Sequence, residues 1–185
     1  MLSIGLVVSA AVLWLGVLFV RRQQHLAYPF LDVALFRRPA FSAAIVAYAL
    51  AGLSMMGVYI FMTQYLQLVL GLTPLQAGIA TVPWSRCFTV GSLLAPRLAR
   101  HWGARRVMVR GLLLAAVGFG ITALVVPPYG LWILIAGMLA MSLGMAPVFT
   151  VGNELIITTA PPERAGAASA LAETSAELSG ALGIA

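Results

Sequence analysis

Two glutamates near the C-terminal end of the chain, Glu173 and Glu177, have the residue type and spacing for proton chemistry. They are four residues apart, so in a helix they lie on one face. Counted from Arg164, they lie roughly 13 Å and roughly 19 Å along a helix axis. An ionisable group at that depth in a membrane is costly and is by default a functional candidate. Such a pair can take up a proton and release it when a cation arrives; the alternative is that both are buried, hydrogen-bonded and structural.

Other polar residues stand within or beside long apolar runs. Gln64, Arg86, Asn153 and Glu154 are candidates for lining a cavity. Each has a simpler alternative. Gln64 stands in a cluster of interfacial polar side chains, and Arg86 can be incidental to function. Asn153 and Glu154 can cap the inner mouth of a helical bundle.

The residues that would support an enzyme or a metal site are absent from the sequence. Cys87 is the only cysteine, which excludes an internal disulfide and a cysteine-based zinc site. His25 and His101 do not have metal-ligand spacing. The sequence shows no phosphate-binding loop and no nucleophile triad, so we expect neither an enzyme nor a bound metal.

Composition indicates that the glutamates belong to an integral membrane protein. Of the 185 residues, 62% are hydrophobic and 9% are charged, against about 25% charged in an ordinary soluble domain. The mean hydropathy is +1.01. A very apolar soluble helical protein is the alternative, but the apolar runs are long and several. The net charge of +6 does not predict nucleic-acid binding, because the arginines cluster between these runs.

The apolar runs predict an all-α fold of about five complete transmembrane helices and a truncated sixth. About 20 residues are needed to cross the hydrocarbon core. We expect the spans near residues 1–20, 41–66, 79–96, 107–126, 131–151 and 167–185, with a cytoplasmic connector at 21–40.

Arginine placement predicts the orientation of these spans. The predicted inner loops together hold ten arginines, the predicted outer loops hold none, and the eleventh is Arg86. Short loops rich in Arg stay on the cytoplasmic side. The loop 97–110 alone holds five, which makes it the clearest topological marker in the chain.

Three stretches resemble the major facilitator superfamily, and within it the fourteen-span drug:proton antiporters that export quaternary ammonium compounds, dyes and similar cations. They are residues 29–41, containing PFLDVALFR; residues 64–83, beginning QYLQLVLG; and residues 160–183, beginning APPERAGAASAL. The last two are fairly specific to this branch. The loop 97–110 resembles a degenerate copy of the superfamily's loop motif.

The resemblance implies two six-span bundles with a substrate cavity between them. Residues 1–20 would be the second of two extra central spans, and residues 41–185 would be a partial C-terminal bundle lacking its N-terminal partner half. Gly103, Arg105 and Arg106 match the loop motif, whereas Arg100 occupies the position of its aspartate. The acidic member of a charge relay is therefore absent from this loop.

The expected function is that of a fragment of a proton-coupled multidrug efflux antiporter. Its partners would be the lipid bilayer, the other half of the transporter and a drug-like small molecule. Its energy source would be the proton gradient, without a cofactor, and its location would be the bacterial inner membrane. Two alternatives stay open: a free-standing small membrane protein that acts as a partner or assembly subunit, and a transporter of another solute, such as a sugar or organic acid.

Overall fold

The computed structural model describes residues 14–18, 21–22, 33–125 and 130–184, and all regular structure in these ranges is helical. The five long helices are α1 (Pro39–Gln64), α2 (Pro74–Trp102), α3 (Ala104–Ala123), α4 (Gly130–Thr159) and α5 (Ala165–Ile184), with a π-helical turn at Tyr65–Val69 and 3₁₀ turns at Val33–Arg37 and Pro162–Arg164. The predicted span 1–20 and connector 21–40 lie largely outside the described residues.

Three of these helices are long and apolar enough to cross a membrane: α1 with its π turn, α3 and α4. The predicted spans 79–96 and 167–185 lie in α2 and α5, which are not among the three. Arg86 lowers the hydropathy of α2, and α5 combines two glutamates with many Ala, Ser and Gly residues. The described chain is an all-α membrane bundle, which confirms the expected fold class.

The helices extend beyond the predicted spans at several ends, and the predicted loop 97–110 is not a loop. It is helical except at Gly103, which has φ +84° and joins α2 directly to α3. Glycine adopts this backbone conformation without the steric cost that a β-carbon adds. The prediction of a loop was wrong because a cluster of charged residues marks where a helix leaves the hydrocarbon core, and not where the helix ends. At the other end, α3 stops at Ala123, short of the predicted residue 126, before two consecutive prolines.

The fold is organised around α4, which contacts the other four long helices. Its buried side chains include Met138, Met141, Met145, Val148 and Ile156. α5 packs along α1. The core therefore lies along α4, with α1 and α5 forming a second closely packed pair.

Glycines allow these close approaches. A β-carbon added at Gly144 of α4 would lie 2.5 Å from the backbone of Gly111 and Ala115 in α3. One added at Gly183 of α5 would lie 2.6 Å from the carbonyl oxygen of Leu53 in α1. Small residues at such contacts bring helix backbones together, which stabilises membrane bundles through van der Waals packing.

From Arg37 onward, every arginine except Arg86 lies near the helix ends that meet at one end of the bundle, called here the arginine end. Arg38, just before α1, donates a hydrogen bond of 2.6 Å from Nη1 to the carbonyl oxygen of Thr159, the last residue of α4. The last turn of α4 carries no basic residue of its own. A cation supplied by another helix therefore satisfies a free terminal carbonyl and stabilises the negative end of the α4 dipole.

We expect Arg38→Gln to lower the free energy of unfolding by about 1 kcal/mol, because the α4 terminus loses a charged donor. The matched control is Arg37→Gln, since the Arg37 side chain donates no hydrogen bond to the described residues. Thermal unfolding in detergent, followed by circular dichroism, measures both. Equal midpoints for the two variants would contradict the capping role.

Candidate functional site

A cavity of about 410 Å³ lies where α1, α2, α4 and α5 converge, and we call it the Glu177 cavity. Its lining is apolar except at a few positions, and Glu177 is the only charged residue among the described residues that line it. The lining residues are Gly52, Met55, Met56, Tyr59, Trp84, Phe149, Ala176, Glu177 and Gly180.

Helix register explains this lining. Met55, Met56 and Tyr59 share one side of α1, and Ala176 and Gly180 are four apart on α5. The two small residues of α5 leave room beside Glu177. The thioethers of the two methionines are polarizable and adapt to differently shaped neighbours.

A chain of five aromatic rings runs beside this cavity and joins three helices. Ring centroids are 5.6 Å apart for Tyr59 and Trp84, and 6.4 Å apart for Trp84 and Phe88. They are 6.1 Å apart for Phe88 and Phe149, and 5.0 Å apart for Phe149 and Tyr48. Ring faces attract cations through the aromatic quadrupole. Carboxylate, thioethers and aromatic rings together can hold a lipophilic cation.

The two predicted glutamates have different surroundings. Glu177 lines the cavity, whereas Glu173 does not; Glu173 lies within electrostatic range of the Tyr48 phenol, at the other end of the aromatic chain. Both side chains are exposed, and neither carboxylate accepts a hydrogen bond from the described residues. Both carboxylates are therefore accessible in the described structure, and their role in proton chemistry stays a prediction.

Ser142 fixes the position of Trp84. Its fully buried hydroxyl, on α4, donates a hydrogen bond of 2.7 Å to the carbonyl oxygen of Trp84, on α2. The Trp84 indole nitrogen is itself buried without an acceptor among the described residues. Sequence reasoning did not select Trp84 or Phe149, because they are 65 positions apart in the sequence. Their one local signal was an aromatic side chain inside an apolar run.

The other predicted cavity residues are placed elsewhere. Arg86 is exposed on α2, outside the Glu177 cavity, and forms no ion pair with the described residues. Gln64 lines a different cavity of about 650 Å³ beside the π turn, together with Tyr65 and Thr122. Asn153 is exposed on α4. The four candidates therefore do not form one site.

Glu154 lies at the arginine end, where it lines a cavity of about 250 Å³ together with Arg100. The arginine at the motif's aspartate position thus lines the same cavity as an acidic residue of α4, without forming an ion pair with it. Of the other motif residues, Gly103 forms the corner between α2 and α3, and Arg105 and Arg106 are exposed in the first turn of α3. Within the described ranges, no three His, Cys, Asp or Glu side chains group as metal ligands would.

Comparison with known proteins assigns a family to this arrangement. A sequence model described as Major Facilitator Superfamily matches residues 1–184. The chain is 38% identical to the multidrug efflux pump LfrA of Mycolicibacterium smegmatis, over 92% of this chain and 34% of that protein.

Two further relatives are more distant. The tetracenomycin C resistance and export protein of Streptomyces glaucescens is 28% identical, over 99% of this chain and 34% of its own length. The methyl viologen resistance protein SmvA of Salmonella typhimurium is 29% identical, over 91% and 34%. The chain spans about a third of the length of the curated relatives it matches.

Proposed function

The chain belongs to the Major Facilitator Superfamily, and from this membership we propose that it forms part of a proton-coupled exporter of cationic, lipophilic compounds. The multi-pass membrane character of the chain and its relation to transporters are established by the same match and by its apolar helices. What we propose beyond this is the class of cargo, the proton as the coupling ion, and the bacterial inner membrane as the location.

The observation that carries the proposal is the Glu177 cavity. The Glu177 side chain lines this cavity together with Tyr59, Trp84 and Phe149 and with two methionines. A delocalised or quaternary cation gains from both the charge and the ring faces. The apolar remainder of the lining suits the lipophilic part of such a molecule. The names of two relatives, a multidrug efflux pump and a methyl viologen resistance protein, point to the same class of cargo.

Coupling to protons follows from competition at the carboxylates. In this proposal a proton and the cargo cation cannot both be bound at Glu177, because each neutralises the same charge. Glu173, one helical turn away, supplies a second protonation site on the same helix. Energy comes from the proton gradient, the solute is moved without chemical change, and no cofactor takes part.

The partner of this chain is the N-terminal bundle of the same transporter. Its Glu177 cavity would then face a second wall across the central cavity. The alternative of a free-standing small membrane protein has less support, since the matched relatives are about three times as long. Transport of a sugar or an organic acid has less support too, because neither solute is a cation and neither gains from the negative charge of Glu177.

The test is efflux by the complete gene that contains this sequence. Expressed in an efflux-deficient bacterial host, it should lower ethidium accumulation and raise tolerance of quaternary ammonium compounds, and a protonophore should abolish both effects. The 185-residue chain expressed alone should do neither, because the cavity needs both halves. Unchanged accumulation with a correctly inserted complete protein would sink the proposal.

A further inference from the structure

We propose that the groove between the last turns of α2, the first turns of α3 and the middle of α4 binds one anionic phospholipid. Its phosphate would lie at Arg110, which lines the groove, and at Arg106, one helical turn nearer the arginine end, with an acyl chain between the leucines. This site is separate from the Glu177 cavity and does not depend on the proposed transport function. It requires only that the bundle lie in a membrane.

The groove is a slot of about 230 Å³ with a polar end and an apolar end. Leu94, Leu98 and Trp102 are four apart on α2 and therefore share one face. Leu114 of α3 and Leu143 of α4 complete the apolar part of the lining. Trp102, the last residue of α2, stands at the arginine end, so the slot runs from there toward the membrane interior.

A fixed positive charge stands at the mouth of this slot. The guanidinium carbon of Arg110 lies 4.7 Å from the centre of the Trp102 ring, a cation–π contact that holds the side chain in place. Arg106 precedes Arg110 by four residues and so lies on the same face of α3. The order along this face of α3 is thus Arg106, Arg110 and Leu114, from charged to apolar.

The charge at this mouth lacks a counter-ion in the described structure. Residues 97–110 contain five arginines and no acidic residue. None of the five forms an ion pair with the described residues. A phosphodiester matches the planar donor pattern of arginine, and clusters of basic residues at this face of a membrane bind anionic head groups.

An anionic phospholipid is the occupant that uses both ends of the groove. A soluble phosphate would leave the leucine-lined slot empty, and a zwitterionic lipid brings no net negative charge to the arginines. α3 and α4 are long and apolar enough to cross a membrane, and in this proposal the arginines meet the head groups while the slot holds the first part of an acyl chain. The position, shape and charge of the groove all favour an anionic phospholipid as its ligand.

Native mass spectrometry of the chain in detergent tests this with an equimolar mixture of phosphatidylglycerol and phosphatidylcholine. The unaltered chain should retain phosphatidylglycerol preferentially. Arg110→Gln should lower that preference about fivefold, since one arginine near the surface contributes an effect of this order. Arg105→Gln removes the same charge from α3 at a position that neither lines the groove nor lies on the face shared by Arg106 and Arg110, so it should keep the preference.

A second variant tests the acyl slot. Leu98→Trp keeps every arginine but fills the slot, and it should also lower phosphatidylglycerol retention. Equal losses in Arg110→Gln and Arg105→Gln would show diffuse attraction and overturn the site. Retention of both lipids to the same extent, or full displacement by soluble glycerol phosphate at equal concentration, would overturn the assignment of an anionic lipid.

Discussion

Gly118→Ala should lower the free energy of unfolding by about 1–3 kcal/mol, the usual cost of inserting a methyl group into a closely packed contact. An added β-carbon would meet the backbone nitrogen of Met141 and lie 2.7 Å from the carbonyl oxygen of Gly137. Both are backbone atoms of α4, so they cannot move aside as the end of a flexible side chain can. The helices α3 and α4 must separate to admit the methyl group.

Gly120→Ala is the matched control for this substitution. Gly120 lies two residues further along α3, and a β-carbon there meets nothing within 4 Å. The variant should be as stable as the unaltered chain or slightly more stable, since alanine favours the helix over glycine. Thermal unfolding of both purified variants measures the difference in stability between them. A Gly118→Ala midpoint equal to that of Gly120→Ala would mean that the α3–α4 contact is looser than described.

Glu177→Gln should lower cation efflux by the complete transporter about tenfold to a hundredfold. The substitution keeps the shape of the side chain and removes its charge from the Glu177 cavity. A cation about 4 Å from a carboxylate gains about 4 kcal/mol at the dielectric typical of pairs near a protein surface and about 1 kcal/mol in bulk water. Because the Glu177 side chain is exposed, we expect a loss between these values, about 1.4–2.8 kcal/mol, and each 1.4 kcal/mol is a factor of ten in affinity. Ethidium efflux from loaded cells measures the rate, and ethidium fluorescence with purified protein measures the binding.

Two controls separate the cavity from general charge effects. Glu163→Gln makes the same chemical change in the exposed turn between α4 and α5 and should leave efflux unaltered. Glu173→Gln tests the second predicted proton site; it should impair proton-driven efflux while ethidium binding at the cavity is kept. A folded Glu177→Gln protein with normal ethidium binding and normal efflux would remove Glu177 from the mechanism.

The class of fold was predictable because its signals are local. Hydropathy is a property of each residue, and a run of about 20 apolar residues is enough to cross the hydrocarbon core. Composition and the lengths of the apolar runs therefore indicated a helical membrane bundle. The ends of α1 and α3 lie within three residues of the predicted spans, whereas α4 extends eight residues beyond the predicted residue 151. The predicted loop 97–110 was wrong, since charge shows where a helix meets water but not whether Gly103 alone can turn the chain. The family resemblance, drawn from three short stretches, is confirmed by the match over residues 1–184.

The sequence by itself determined the membrane character of this protein, its family and the two glutamates as candidates for proton chemistry. Only the tertiary structure decided that Glu177 shares a cavity with Trp84 and Phe149, that Gln64 lies in a different one, and that Glu173 stands apart. The reason is physical, because which side chains line the same cavity depends on how the helices are rotated about their axes and how closely they approach one another. Close contacts such as the one at Gly144 set this rotation and spacing, and they join residues that are distant in the sequence. Hydropathy does not predict such contacts.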